Sequence, residues 1–292
     1  MFFRQHINNI TAADDLSSSA DNAFPSSPNQ RQMAIKDLNE GLQKWRLWLT
    51  LSYHDIRLRY RRSVLGPLWL TISIAISLYS MGYLYSSLFH QELHAYYPYL
   101  VSGMLGWTLI STLVMEYTDG FISYQSLIYQ LKLPYTLHIH RIAARNMIVF
   151  FHNLLILIPI YILFHDTAKI NTCTLLLIPG LCVIYINAIS FGTVLALIGA
   201  RYRDMSQFIK SIIQVIFFIT PVMWKPDMLT GKKHLIVDWN PFYSILEMIR
   251  APLLGEVPNF DNVRTSLVIT LVGFIMWYSL FIRYRSRIVY WL

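Results

Sequence analysis

Long runs without charge alternate along this chain with short connections in which lysine and arginine collect. A helix needs about 20 mostly apolar residues to cross ~30 Å of hydrocarbon, where no water is present to satisfy an open backbone. Windows of that size predict spans at 65–89, 97–115, 146–164, 174–199 and 265–282. A sixth, at 205–224, has a short apolar centre (211–224) that contains Pro221. It reaches the needed length if it begins near Met205 and Lys210 snorkels to the interface. Six spans put both ends of the chain on one side.

Basic residues choose the side. With both ends in the cytosol, the inner segments hold 18 of the Lys and Arg residues and the outer segments 6. The first outer loop, 90–96, has none. That asymmetry is what the positive-inside rule selects.

Three polar-apolar stretches fall between or before the spans. Leu38, Leu42, Trp45, Leu49, Tyr53, Ile56 and Tyr60 recur at steps of three and four, which predicts an amphipathic helix over 38–62 lying on the cytosolic face of the bilayer. Before it, residues 1–37 are rich in Ser, Asn and Asp and read as a flexible cytosolic tail without the apolar core of a secretory signal. "DGFISYQSLIYQLKLPYTLHIHR" predicts a cytosolic helix over 123–131 and a turn at Pro134. In "WKPDMLTGKKHLIVDWNPFYSILEMIRAPLLGEVPNF" no window crosses, so Pro241–Leu254 is expected to lie in the outer interface or to dip in and return.

Arg57, Arg59, Arg61 and Arg62 directly precede the first span. Two readings stand at about equal weight: a topology anchor, or a contact for the phosphate of an anionic lipid.

Composition narrows the class. The chain is 55% hydrophobic and only 14% charged, whereas soluble domains carry roughly a quarter. Its net charge of +8 sits at the ends of apolar runs rather than on one polar module, which disfavours nucleic acid as a partner. Cys173 and Cys182 have no metal-ligand spacing and read as buried thiols. No phosphate loop exists, since Gly231-Lys232-Lys233 lacks its spacing, so ATP hydrolysis is not expected here. "HQELH" has its glutamate in the wrong place for a metalloprotease helix, and no metal site is expected. His138 and His140 read as solvated or headgroup-facing.

Two features remain. Glu116 and Asp119 close the second span and seek a cation such as Arg145, either as a structural pair or as a gate contact. Aromatic residues of the first span (Trp69, Tyr79, Tyr83, Tyr85, Phe89) and the fifth (Phe217, Phe218, Trp224) suit interface belts and helix packing first, and as a second reading the stacking of sugar rings.

Taken together, "HDIRLRYRRSVLGPLWLTI", Pro134 after "LIYQLKL", "ARYRDM", "TPVMW" and "NPFYSILEMIRAPLLG" resemble the transmembrane subunits of ABC-2 type polysaccharide exporters, in the same order and from about Leu38 onward. His54 and Tyr135 depart from that pattern, which often has basic residues there. The resemblance implies an all-α polytopic membrane protein of the ABC-2 exporter fold: six transmembrane helices, an N-terminal interface helix, a cytosolic coupling helix and outer re-entrant helices. It implies a homodimer in the cytoplasmic (inner) membrane of a bacterium, paired with two copies of an ABC ATPase subunit that carries ATP and Mg, with no cofactor on this chain. An undecaprenyl-type lipid-linked polysaccharide would pass between the two permease chains. O-antigen is the first choice, because "RRSVLGPLWLTIS" and "IAARN" look closest to that branch; capsule and teichoic acid stay open. A small-lipid or drug exporter shares the fold, and a membrane transferase would need a carboxylate or histidine cluster at one depth.

The resemblance also assigns residues. Coupling to the ATPase falls to Ser123, Tyr124, Gln125, Leu127, Ile128, Leu131 and Pro134, with a second contact at Arg201, Arg203 and Asp204. The substrate entrance falls to Arg57, Arg59, Arg61, Arg62 and Glu116. For a glycan passage, the aromatic residues noted above supply the candidate channel lining: Trp69, Tyr79, Tyr83, Phe217, Phe218 and Trp224.

Overall fold

A computed structural model describes residues 28–61, 63, 65–66, 68–228 and 235–292. Residues 1–27 of the expected tail (1–37) lie outside the described residues, as do Arg62, Lys232 and Lys233. Every described regular element is a helix. In chain order these are α1 (Pro28–Gln43), α2 (Trp45–Arg59), α3 (Leu68–Leu88), α4 (Leu93–Thr118), α5 (Gly120–Ser123), α6 (Gln125–Gln130) and α7 (Tyr135–Asn153). Then follow α8 (Leu157–Leu163), α9 (Leu177–Arg201), α10 (Met205–Ile219), α11 (Leu235–Asp238), α12 (Pro241–Leu254), α13 (Phe260–Tyr284) and α14 (Ile288–Trp291), with short 3-10 turns between several of them.

Five of these segments are long and apolar enough to cross a membrane: α3, α4, Tyr135–Leu163 (α7 and α8), Thr172–Arg201 and Phe260–Trp291. The chain is a multi-pass, all-helical membrane protein. Met205–Ile219 is shorter, at 15 residues, or roughly 22 Å of helix at 1.5 Å per residue.

The core centres on α4. Its Leu105, Leu109, Leu113 and Tyr117 join one buried cluster with Ile139, Ile142 and Ala143 of α7, Ile184, Ala188 and Ala196 of α9, and Trp277 and Phe281 of α13. Small residues set the spacing. A Cβ on Gly199 of α9 would collide with the Thr118 carbonyl at the end of α4, so only glycine lets the two helices meet there. Hydroxyls inside the bundle bond back to their own helices, as Thr108 to Met104 O (2.7 Å) and Thr193 to Ile189 O (2.6 Å). By contrast α3 and α10 sit at the margin, both against α4, and leave long apolar faces uncovered, including Ile76, Leu84, Val215 and Phe218.

Several boundaries differ from the sequence expectation. Helix α1 begins at Pro28, inside the stretch expected to be a flexible tail, because Asp37 is buried and tied to the rest of the fold. Asp37 accepts from Tyr135 N (3.2 Å), Thr136 N (3.0 Å) and Thr136 Oγ1 (2.9 Å), capping α7, and pairs with Arg285 (2.9 Å). The third crossing starts at Tyr135 rather than 146, since Arg141 and Arg145 find carboxylates within the bundle. His138 and His140 are consequently buried, not solvated: His138 stacks on Tyr124, and His140 lies between Trp48 and Tyr185. The expected helix 123–131 is two pieces, α5 and α6, with Tyr124 at the break. Cys182 is exposed rather than buried.

Gly199→Ala tests the close approach. Helix propensity alone favours alanine by about 1 kcal/mol, yet the collision with Thr118 should reverse the sign and destabilise by roughly 1–3 kcal/mol. Gly120→Ala, whose Cβ would meet only the Ile142 Cδ1 methyl at 3.2 Å and Ala196 Cβ at 3.4 Å, should be tolerated. Thermal unfolding of the detergent-purified variants measures both.

Candidate functional site

At the end of the bundle that carries α1, α2 and the arginines, four elements converge on two carboxylates. Asp55 of α2 accepts from Arg141 Nε (2.8 Å) and Nη2 (2.5 Å), and from Arg145 Nη1 (3.1 Å). Tyr124 donates its hydroxyl to Asp55 (3.3 Å) and accepts from Arg145 Nη1 (3.2 Å). Glu116, in the last turns of α4, accepts from Arg145 Nη2 (2.8 Å) and Asn146 Nδ2 (2.5 Å). Arg145 therefore bridges both acids.

Its geometry follows from local structure. Arg141 and Arg145 lie four apart on α7 and share one face. The Arg141 guanidinium stacks on the Tyr124 ring (4.3 Å) as well as forking onto Asp55. Burial pushes the Tyr124 hydroxyl above its ordinary range, against the pull of Arg145 and Arg141, so it stays a neutral donor. The side chains of Asp55, Arg141 and Arg145 are 11–15% exposed, where charged hydrogen bonds keep most of their strength.

The two short helices after α4 form an elbow, floored by the end of the chain segment after α13. Gln125 Nε2 donates to Leu292 O (2.6 Å), as does Arg203 Nη2 (3.3 Å). Arg201 lies over the rings of Tyr202 and Trp291. Thus the elbow and the Arg201–Asp204 turn, read from sequence as separate contacts, share one support. Ser123 and Leu131 are exposed, Leu127 and Ile128 half-buried, and Pro134 buried; Asp204 is exposed and its carbonyl accepts from Gln207 N and Phe208 N. Asp119 accepts from Ser206 Oγ (2.9 Å) and faces Lys210 at 3.8 Å, which joins α10 to the same end.

Arg57, Arg59 and Arg61 are exposed, on and just after the last turn of α2. Among the described residues only Arg59 of these approaches an acid, Glu116 at 3.7 Å. The aromatic residues divide. Trp69, Tyr83 and Phe218 are exposed; Tyr79 turns inward, donating to Ile156 O (2.6 Å). Phe217 packs beside Trp107, and Trp224 Nε1 bonds Phe218 O (3.2 Å). Among the described residues no group of three or more His, Cys, Asp or Glu could hold a metal ion.

Sequence reading paired Glu116 with Arg145, and the structure has that pair. It did not single out Arg141, Asn146, Asp37 or Arg285. The i, i+4 arginines inside an otherwise apolar helix were the available signal, since such a pair needs acids from elsewhere in the fold.

A double-mutant cycle separates the strong pair from the weak one. Asp55 with Arg141 should show a coupling energy of about 1–3 kcal/mol. Arg59 with Glu116, long and more exposed, should show less than about 0.5 kcal/mol. Unfolding of purified variants in detergent reads both cycles.

The profile of the ABC-2 type transporter family matches residues 46–254. An O-antigen export system permease protein RfbA of Klebsiella pneumoniae is 21% identical over 235 residues, covering 78% of this chain and 89% of that protein. Another RfbA of the same species is 21% identical over 248 residues, covering 82% and 94%. The RfbA of Myxococcus xanthus is 20% identical over 220 residues, covering 74% and 84%. With the family profile running from the interface helix through α12, the chain belongs to the ABC-2 type transporter membrane family.

Proposed function

We propose that this chain is the permease subunit of an ATP-driven exporter that carries a lipid-linked polysaccharide, O-antigen first among them, across the cytoplasmic membrane. One observation carries the reading: three relatives named as O-antigen export permeases align over at least 74% of this chain and 84% of their own length. ATP is hydrolysed on a separate ABC ATPase, two copies of which serve two copies of this chain.

In this reading the basic end is cytosolic, and α10 with the extended residues after it completes a sixth crossing. The uncovered faces of α3 and α10 meet the second copy or line the passage between copies, where exposed Trp69, Tyr83 and Phe218 offer flat surfaces to sugar rings. Arg57, Arg59 and Arg61 stand where the pyrophosphate of a lipid carrier enters from the inner leaflet.

The elbow contacts the ATPase, and the charge cluster carries its movement onward. Tyr124 sits between α5 and α6 and bonds both Asp55 and Arg145. Displacement of the elbow therefore acts on α2, on α7, and through Glu116 on α4. Packed elements of this kind shift between discrete arrangements rather than bending continuously.

Two outcomes test this. In proteoliposomes holding the chain and its ATPase, added lipid-linked glycan should stimulate ATP turnover several-fold; turnover indifferent to glycan sinks the exporter reading. Replacing Arg57, Arg59 and Arg61 together with glutamine should leave insertion and topology unchanged while glycan export falls at least about tenfold, the size expected for losing two or more charged contacts. Inverted topology in accessibility labelling, with no separate export defect, would instead make these arginines anchors.

A further inference from the structure

Helix α10 stops at Ile219, and the chain runs through Thr220, Pro221, Val222, Met223 and Trp224 without helical bonding to cover its carbonyls. In hydrocarbon such a break survives only if other groups supply the donors. Two helices do. Tyr99 of α4 directs its hydroxyl at Pro221 O (3.2 Å) and Trp224 O (3.0 Å), and Tyr96 donates to Met223 O (2.8 Å). From α12, Arg250 Nη2 donates to Pro221 O (2.7 Å) and Val222 O (3.1 Å).

Arg250 is the central piece. It is 1% exposed, its guanidinium lies over the Tyr99 ring at 4.2 Å, and Nη1 donates to Tyr99 Oη (2.8 Å) and Glu247 Oε1 (2.9 Å). Gly103 of α4 leaves the space it fills. A second tie runs from the start of α12, where Asn240 caps the helix by accepting from Phe242 N and donates to Thr220 Oγ1 (2.9 Å). A buried cation at this depth, with four hydrogen bonds to protein, is a strong orienting device. Lysine could not reproduce its planar fork.

We infer that Arg250 is a positioning residue that fixes the re-entrant helix α12 to the broken end of α10 and to α4, making them one rigid body. It rests on the proposed function above: with the basic end of a two-copy exporter in the cytosol, α12 lies at the opposite, outer end, where it would cap the exit. The exit then opens along the seam between the two copies, and α12 does not hinge away from its own chain. Arg250 acts through Tyr99 and the Thr220–Trp224 backbone, not on the glycan.

Two measurements test it, both on the chain assembled with its ATPase in proteoliposomes. Spin labels replace the exposed Asp227 and Trp239 in one chain, diluted with unlabelled copies. Their separation should be the same without nucleotide and with ATP; a shift beyond the rotamer spread of the label would overturn the single-body claim. If glycan-stimulated ATP turnover persists while that distance shifts, the inference fails alone and the exporter reading stands.

The second readout is passive leak of small ions in the absence of ATP. Tyr99→Phe, and the paired change Arg250→Gln with Glu247→Gln that leaves no lone buried charge, should each raise the leak about tenfold, as expected when a charged hydrogen bond that holds the closed state is lost. Wild-type leak in both, at wild-type yield of the assembled complex, would overturn the proposal. Should the paired change fail to assemble, the single hydroxyl removed in Tyr99→Phe still decides it.

Discussion

In the hydrocarbon interior no water stands by to pair a backbone amide or carbonyl, and that constraint organises this chain from end to end. It accounts for every described regular element being a helix, and it governs the stretch after α10 where the helix fails. Segment 220–224 is possible because Tyr96, Tyr99 and Arg250 replace the missing intrahelical partners. The same rule explains the many serine and threonine hydroxyls that bond to a carbonyl four residues back, as Thr118 does to Val114. Polar groups are admitted to the bundle when they solve a bonding problem inside it.

Charge obeys the constraint in a second way. Isolated cations are expensive in a span, so the buried ones occur with acids. Arg141 and Arg145 pair with Asp55 and Glu116 from other helices, and Arg285 with Asp37 of α1. Arg250 pairs with Glu247 of its own helix α12, where Tyr99 and the carbonyls of Pro221 and Val222 supply the contacts to other elements. Two of these clusters lie at the basic end and one at the opposite end. Each ties a non-spanning element (α2, α12 or α1) to the spans. Among the described residues the exposed arginines on α2 have no comparable partners, only the long Arg59–Glu116 approach.

This partition also sets what the sequence could disclose. The apolar windows located α3, α9 and α13 closely, because hydropathy over 20 residues is a local property. They missed the first three turns of α7, since Arg141 and Arg145 look like loop residues until Asp55 and Glu116, 86 and 29 positions away, are brought to them. His138 and His140 were misplaced by the same error. The first ten residues of α1, 28–37, read as tail because their polar sequence has little apolar face; their hold is Asp37, whose partners at Thr136 and Arg285 are distant in sequence. The aromatic residues show the limit in another form. Trp69 and Tyr79 belong to one helix and look alike in sequence, yet one faces outward and the other bonds Ile156 O.

A relay needs shared partners more than it needs strong bonds. If Asp55 paired with Arg141 alone, and Glu116 with Arg145 alone, movement of α2 and movement of α4 would be independent, each pair breaking or surviving by itself. Arg145 touches both acids and Tyr124 touches Asp55 and Arg145. Tyr124 and the two carboxylates thus share Arg145, so a displacement of the elbow would bear on the bonds to α2 and to α4 together. In water such sharing would be blurred by competing solvent, but at 11–20% side-chain exposure the alternatives are few. A cluster so built has a small number of stable arrangements, which is the property a coupling element must have.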